Sequence, residues 1–249
     1  MLYRRHLRIK VLQSLYSWYT GGHDQLPDAE RELLTSINKL YELFIYQLSF
    51  LLEVRKFADE RLEQNKKKFY PTDEDIDPNM KFVESSVFKL LDTNKSFHRL
   101  EDTYNIDWSE EHEMVRKFYS ELRESTFYKK YMSNNNSSIE EDKKLMIQIV
   151  DQLLPGFDSL KFFYEEKSIY FVDGYDLVNL LLIKFFETIS DGFTKDTTMP
   201  GIFKEYKNAN EDLAFVQSLF KKTILREEES TEIIKSRTKN WEYDRIPLM

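Results

Sequence analysis

Apolar residues recur along much of this chain at spacings of three and four, the period of one face of an α-helix. From about Tyr3 to Tyr19 the line Ile9, Leu12, Leu15, Tyr16 and Tyr19 keeps that spacing, and Gly21-Gly22 supplies a stop. Pro27 then opens a second helix, with Asp28, Glu30 and Glu32 where the helix dipole favours negative charge. Its predicted buried stripe is Ile37, Leu40, Tyr41, Phe44, Leu48 and Leu51, and the scarcity of breakers before Pro71 carries it past residue 60. Residues 66–79 read as a hinge, where Lys66-Lys67-Lys68 meets Pro71, an acidic cluster and Pro78. Further helices are predicted at about 80–92, 108–131 and 139–154, the last two separated by the polar loop Ser133–Ser138. Asp173 or Asp176 is expected to cap the apolar helix that ends near Ile189. After the break at Pro200-Gly201, a helix from about Glu211 to Leu225 carries Leu213, Val216, Leu219 and Phe220, and a weaker one covers Glu227–Arg237.

Composition supports the pattern. Six glycines and six prolines in 249 residues leave few tight turns, which favours an all-α fold over a sandwich or barrel. The absence of cysteine excludes disulfides, thiolate metal sites and a cysteine nucleophile. The richest apolar stretches, Leu40–Val54 and Leu177–Ile189, are interrupted by charge and fall short of the ~20 residues needed to span a bilayer. A cytoplasmic protein without membrane contact is therefore expected. The formal net charge of −8 gives no global positive field, so any nucleic-acid site must be a local basic patch.

One such patch exists. Arg4, Arg5, Arg8 and Lys10 carry four positive charges, and no acidic residue occurs before Asp24. Arg4, Arg8, Leu12 and Tyr16 are four apart, so these arginines continue an apolar line. Arginine so placed either pairs with buried carboxylates or lies where the core has ended and a partner begins. The lack of a nearby acid favours the second reading, and the planar guanidinium suits phosphate oxygens and base stacking. The bland alternative is a solvated helix end that binds nothing.

The run from Arg4, Arg-Arg-His-Leu-Arg-Ile-Lys-Val-Leu-Gln-Ser-Leu-Tyr-Ser-Trp, resembles the opening helix of the NusB family, an arginine-rich turn followed by a pattern close to Ala-Val-Gln-Ala-Leu-Tyr-x-Trp. Gln13, Leu15, Tyr16 and Trp18 match it directly. Residues 240–249, Asn-Trp-Glu-Tyr-Asp-Arg-Ile-Pro-Leu-Met, are similar to the family's Asn-Trp-x-x-Asp-Arg-Ile-Ala-Leu-Met element. The resemblance covers roughly residues 2–54 and 211–249 and implies an RNA-binding transcription antitermination factor. Its expected partners are single-stranded boxA-type RNA of ribosomal transcripts, the ribosomal protein NusE and, through the antitermination complex, RNA polymerase. By position, the arginine-rich turn is Arg4, Arg5, His6 and Arg8, His6 standing where the family usually has arginine; Lys10 extends the basic run. In the family the C-terminal element runs on into further helices, so the resemblance also implies a chain that stops before that fold is complete.

Other chemistries leave little trace. The histidines His6, His23, His98 and His112 form no two-histidine helical pair, the glycines match no phosphate-loop pattern, and no Gly-x-Ser-x-Gly elbow occurs. No catalytic residue, metal or cofactor is expected. The reading is thus an all-α NusB-like helical bundle with a large helical insertion. Residues 1–65 supply its N-terminal helices, 66–205 the insertion, and 206–249 the third bundle helix and the start of a C-terminal subdomain. Two alternatives stand beside it: a NusB-like domain of a ribosomal-RNA methyltransferase, and a structural helical scaffold.

Overall fold

A computed structural model describes residues 2–21, 25–134, 136–190, 192–203 and 211–238. Among these residues the fold is all-α, with thirteen α-helices and no strand. Two helices come first, α1 (Arg4–Tyr19) and the long α2 (Leu26–Lys66). Nine shorter ones follow: α3 (Asp73–Ile76), α4 (Ser86–Asp92), α5 (Lys95–Tyr104), α6 (His112–Glu124), α7 (Thr126–Ser133), α8 (Ile139–Gln148), α9 (Asp158–Lys167), α10 (Ile169–Val172) and α11 (Tyr175–Thr188). The last two are α12 (Glu211–Leu225) and α13 (Glu227–Arg237). No described helix is long and apolar enough to cross a membrane. The chain forms two compact units, Met1–Lys39 with Pro200–Met249, and Leu40–Met199. Residues 40–65, expected with the N-terminal helices, thus group with the residues that follow them.

In the first unit α1 packs against α12. The Leu2 amide donates to the Ile202 carbonyl at 2.8 Å, which ties the start of the chain to the segment approaching α12. Glu30 on α2 accepts from the Gln217 amide at 2.9 Å and pairs with Lys221 at 2.9 Å, both on α12. Leu7, Val11, Leu33, Ile37, Val216 and Phe220 fill the interior. The apolar line predicted for α1 is not its buried face: Leu7, Lys10 and Val11 point inward, while Ile9, Leu12 and Tyr16 are exposed. The helix carries apolar residues on both sides, so periodicity alone does not select the side that docks. Gly21, with φ at +100°, lets the chain leave α1 through a backbone conformation that side chains disfavour. The predicted bounds of α12 and α13 match the structure, and α13 buries no residue.

The second unit has an aromatic interior built around α2. Every residue from Leu43 to Leu51 is buried, so the helix is enclosed on all sides there. The Phe50 ring lies 5.0 Å from that of Phe118, 5.4 Å from Trp108 and 6.5 Å from Phe157. Tyr46 meets Trp108, Tyr164 and Phe171, and Phe44 stands edge-on to Phe185 at 5.6 Å. The one polar edge of this cluster is answered: Trp108 Nε1 donates to the Ser49 hydroxyl at 3.0 Å. Gly174 sits so close to α2 that an added Cβ would lie 2.6 Å from a Leu40 methyl. It precedes α11 as the N-cap, the role expected of Asp173 or Asp176; Asp176 instead lies within the first turn.

Several predicted helices divide. The expected 108–131 segment breaks at Ser125, whose hydroxyl accepts from the Tyr128 amide and starts α7 afresh. The expected 80–92 segment is helical only from Ser86, and Asn94 caps the unpredicted α5 by accepting from the Phe97 amide at 2.8 Å. Buried Asp142 holds this region together, accepting from the Ser86 amide and the Tyr131 hydroxyl, both at 2.6 Å. Beyond α8 the chain makes one wide π turn, Ile149–Leu153, then a 3₁₀ turn, Leu154–Gly156. The Leu154 carbonyl accepts from the Tyr175 hydroxyl at 2.8 Å.

Candidate nucleic-acid interface

The site to build is the outer face of α1. At 3.6 residues per turn, Arg5, Ile9, Leu12 and Tyr16 fall within about 60° of one another around the helix, opposite Leu7, Lys10 and Val11. All four are exposed, and Arg8 stands at the margin of the same face. The result is a ridge that begins in guanidinium groups and continues in apolar and phenolic surface.

The five candidate residues part company on this frame. Arg4 turns toward α12: its guanidinium pairs with Glu211 at 2.7 Å and with Asp212 at 3.3 Å. These hydrogen bonds, the one to Asp212 foremost, hold its charge still more firmly than usual. Asp212 is only 2% exposed, and one of its oxygens has no hydrogen-bond partner, so Arg4 is its printed counter-charge among the described residues. Of the two roles open to an in-line arginine, Arg4 takes the first and pairs with a buried carboxylate. Lys10 lies on the inner face at 7% exposure, where it cannot reach a phosphate. His6 is half-buried and its Nδ1 accepts from the Tyr3 amide at 3.3 Å, closing the first turn of the helix as a Glu or Gln side chain commonly does.

Arg5 and Arg8 are left facing outward. Neither has an ion pair among the described residues, and Arg8 lies over the Phe215 ring at 5.6 Å, beside Arg4 at 5.0 Å over the same ring. Phe215 therefore steers both arginines, a role with no signal in the sequence because the partners lie some two hundred residues apart. Ile9, Leu12 and Tyr16 complete the ridge; sequence reasoning assigned them to the core. The Asn240–Met249 element lies outside the described residues.

Chemically, such a ridge offers two guanidinium groups to anionic oxygens and a flat, partly aromatic surface beside them. Arginine suits phosphate and stacks on planar groups, and an exposed tyrosine suits a base face. Among the described residues, no three His, Asp or Glu side chains gather as a metal site.

Fold and face together define the class: an all-helical protein of two compact units, one of which presents a basic-to-apolar helix face. Compared with known proteins, the chain matches no family model, no curated protein and no solved structure.

Proposed function

We propose that this chain binds single-stranded RNA through the outer face of α1, as a NusB-like transcription antitermination factor acting with NusE and without catalysis of its own. The observation that carries the reading is the ridge itself: unpaired Arg5 and the stacked Arg8 stand beside exposed Ile9, Leu12 and Tyr16. Exposed arginine against a prevailing negative charge fits phosphate recognition, and adjoining apolar surface fits unstacked bases. The resemblance of α1 to the family's opening helix points to boxA-type RNA as the ligand. In this reading Arg4 and His6 shape the helix end, and Arg5 and Arg8 touch the ligand.

The test is a titration with boxA-type single-stranded RNA across a range of salt. Affinity should fall with salt at a slope of roughly 0.7 per phosphate neutralised, and the Arg5→Ala/Arg8→Ala double variant should lose about 1.4 from that slope. Addition of NusE should raise RNA affinity, as for a protein that supplies part of a joint surface. Unchanged slope and affinity in the double variant would make the ridge a solvated helix end and favour the scaffold reading.

A further inference from the structure

A second exposed surface lies in the other unit, where α9, α10 and α11 meet. Ile169 is 80% exposed, and Val172, three residues on, shares its side of the short α10. Phe162 stands exposed on α9, three residues before Glu165 and on the same outer side. Three large apolar side chains are thus left to water within eleven residues of a unit that otherwise encloses its rings.

Beside them is a cavity of about 140 Å³. Its floor is Tyr164, Phe171 and Tyr175, and its rim includes Val172 with the carboxylates of Glu165 and Asp176. Neither carboxylate has an ion pair among the described residues. The one cation at the rim, Lys161, is already committed: it pairs with Asp158 at 3.8 Å and lies over the Tyr175 ring at 5.7 Å. Lys167, the next cation along α9, lies over Phe163 at 5.1 Å. Glu166 and Asp173 add further negative charge around the apolar residues. The surface is therefore apolar at its centre and acidic at its edge.

We propose that this corner docks a basic, apolar-anchored segment of a partner protein. Its aliphatic side chains would cover Ile169, Val172 and Phe162. A lysine or arginine would enter the cavity between Glu165 and Asp176 against the Tyr175 ring, where Lys161 shows that a cation is accommodated. Nucleic acid and anionic lipid are disfavoured by the same carboxylates that favour a basic segment. This proposal concerns a different unit from the α1 ridge and does not rest on the RNA reading.

The test uses an amphipathic peptide of lysine and leucine in helical spacing, with binding to the full chain followed by fluorescence anisotropy. The Glu165→Gln/Asp176→Asn variant should bind it about fivefold more weakly, as for two solvent-exposed ion pairs. Ile169→Ser should weaken it by about tenfold through lost apolar contact. Glu227→Gln/Glu228→Gln removes equal charge from α13 and should leave affinity unchanged. Equal weakening by both charge variants would mean attraction to net charge alone and would overturn the proposal. Hydrogen exchange on the unaltered protein gives an independent readout. Peptide should slow exchange of amides in α9 and α10, and protection confined elsewhere would overturn the proposal equally. RNA titration of the same variants should match the unaltered chain, which keeps this result separate from the α1 reading.

Discussion

α1 and the middle of α2 are both rich in apolar residues, yet the two helices use them in opposite ways. From Leu43 to Leu51, α2 is buried on every side, and its rings meet others at the 5–6.5 Å spacing of edge-to-face packing. α1 buries only Leu7, Lys10 and Val11, and leaves Ile9, Leu12 and Tyr16 in water. The difference teaches that apolar content does not measure how much a helix contributes to the core. What decides is whether neighbours exist on each side. Nine consecutive buried residues need packing partners all round, whereas a helix docked on one side leaves its other face available for recognition.

The contrast predicts very unequal responses to truncation. Phe50→Ala removes a fully buried ring from contact with Trp108 and Phe118, and should cost about 3–5 kcal/mol in chemical denaturation. A loss under about 1 kcal/mol would mean that the aromatic interior is loosely packed.

A smaller effect is expected where α1 joins α12. Arg4→Ala leaves Asp212 buried without its guanidinium, so thermal stability should fall. Adding Asp212→Asn should restore part of the loss, because a neutral amide is less costly to bury than an unpaired carboxylate. If the double variant melts no higher than Arg4→Ala alone, the pair is not coupled.

His98 gives a prediction confined to one pH range. Its Nε2 is 2.6 Å from the Asp92 carbonyl at the end of α4, and its Nδ1 is 2.8 Å from Glu101. Partial burial pulls the imidazole downward, but the Asp92 carbonyl and Glu101 together outweigh it and raise it above its ordinary 6.5. The stabilisation is fully present below pH 6.5 and is lost as pH rises through the folded value. His98→Gln should therefore flatten the fall in stability above pH 6.5 and change little in the shape of the curve below it. A parallel pH profile in the variant would show that His98 stays neutral.

The smallest effect closes the comparison. Leu12→Ala on the outer face of α1 should change stability by no more than about 0.5 kcal/mol. In the proposed function it should nonetheless weaken RNA binding. A large stability loss would place Leu12 in a core and return α1 to the type of α2.

Helix identity was legible wherever a long period met clear ends, as in α2, α12 and α13. The division of the middle segments was harder to read because Ser and Asn serve equally as loop residues and as helix caps. Ser125 and Asn94 start new helices where the sequence suggests continuity or a loop. The candidate site was legible only in part. The basic turn stands out against an acidic chain, but its sorting into Arg4 and Lys10 turned inward and Arg5 and Arg8 turned outward depends on Asp212 and Phe215. That sorting is a property of the assembled unit, since nothing within α1 marks which side α12 will occupy.

The wide turn at Ile149–Leu153 has a consequence for how this chain tolerates change. A π turn holds one residue more than an α-helix would use over the same rise. Asp151 and Gln152 within it are exposed, so the side chain at either place is weakly constrained. Removing one of them is a different matter. The turn would close to ordinary helix, and everything after it would rotate by about 100°. That rotation would carry the Leu154 carbonyl away from the Tyr175 hydroxyl and turn buried Leu154 and Phe157 out of the interior. At this point in the fold, substitutions should pass almost unnoticed while a single-residue deletion should not, because the structure depends there on how many residues are present and hardly on which.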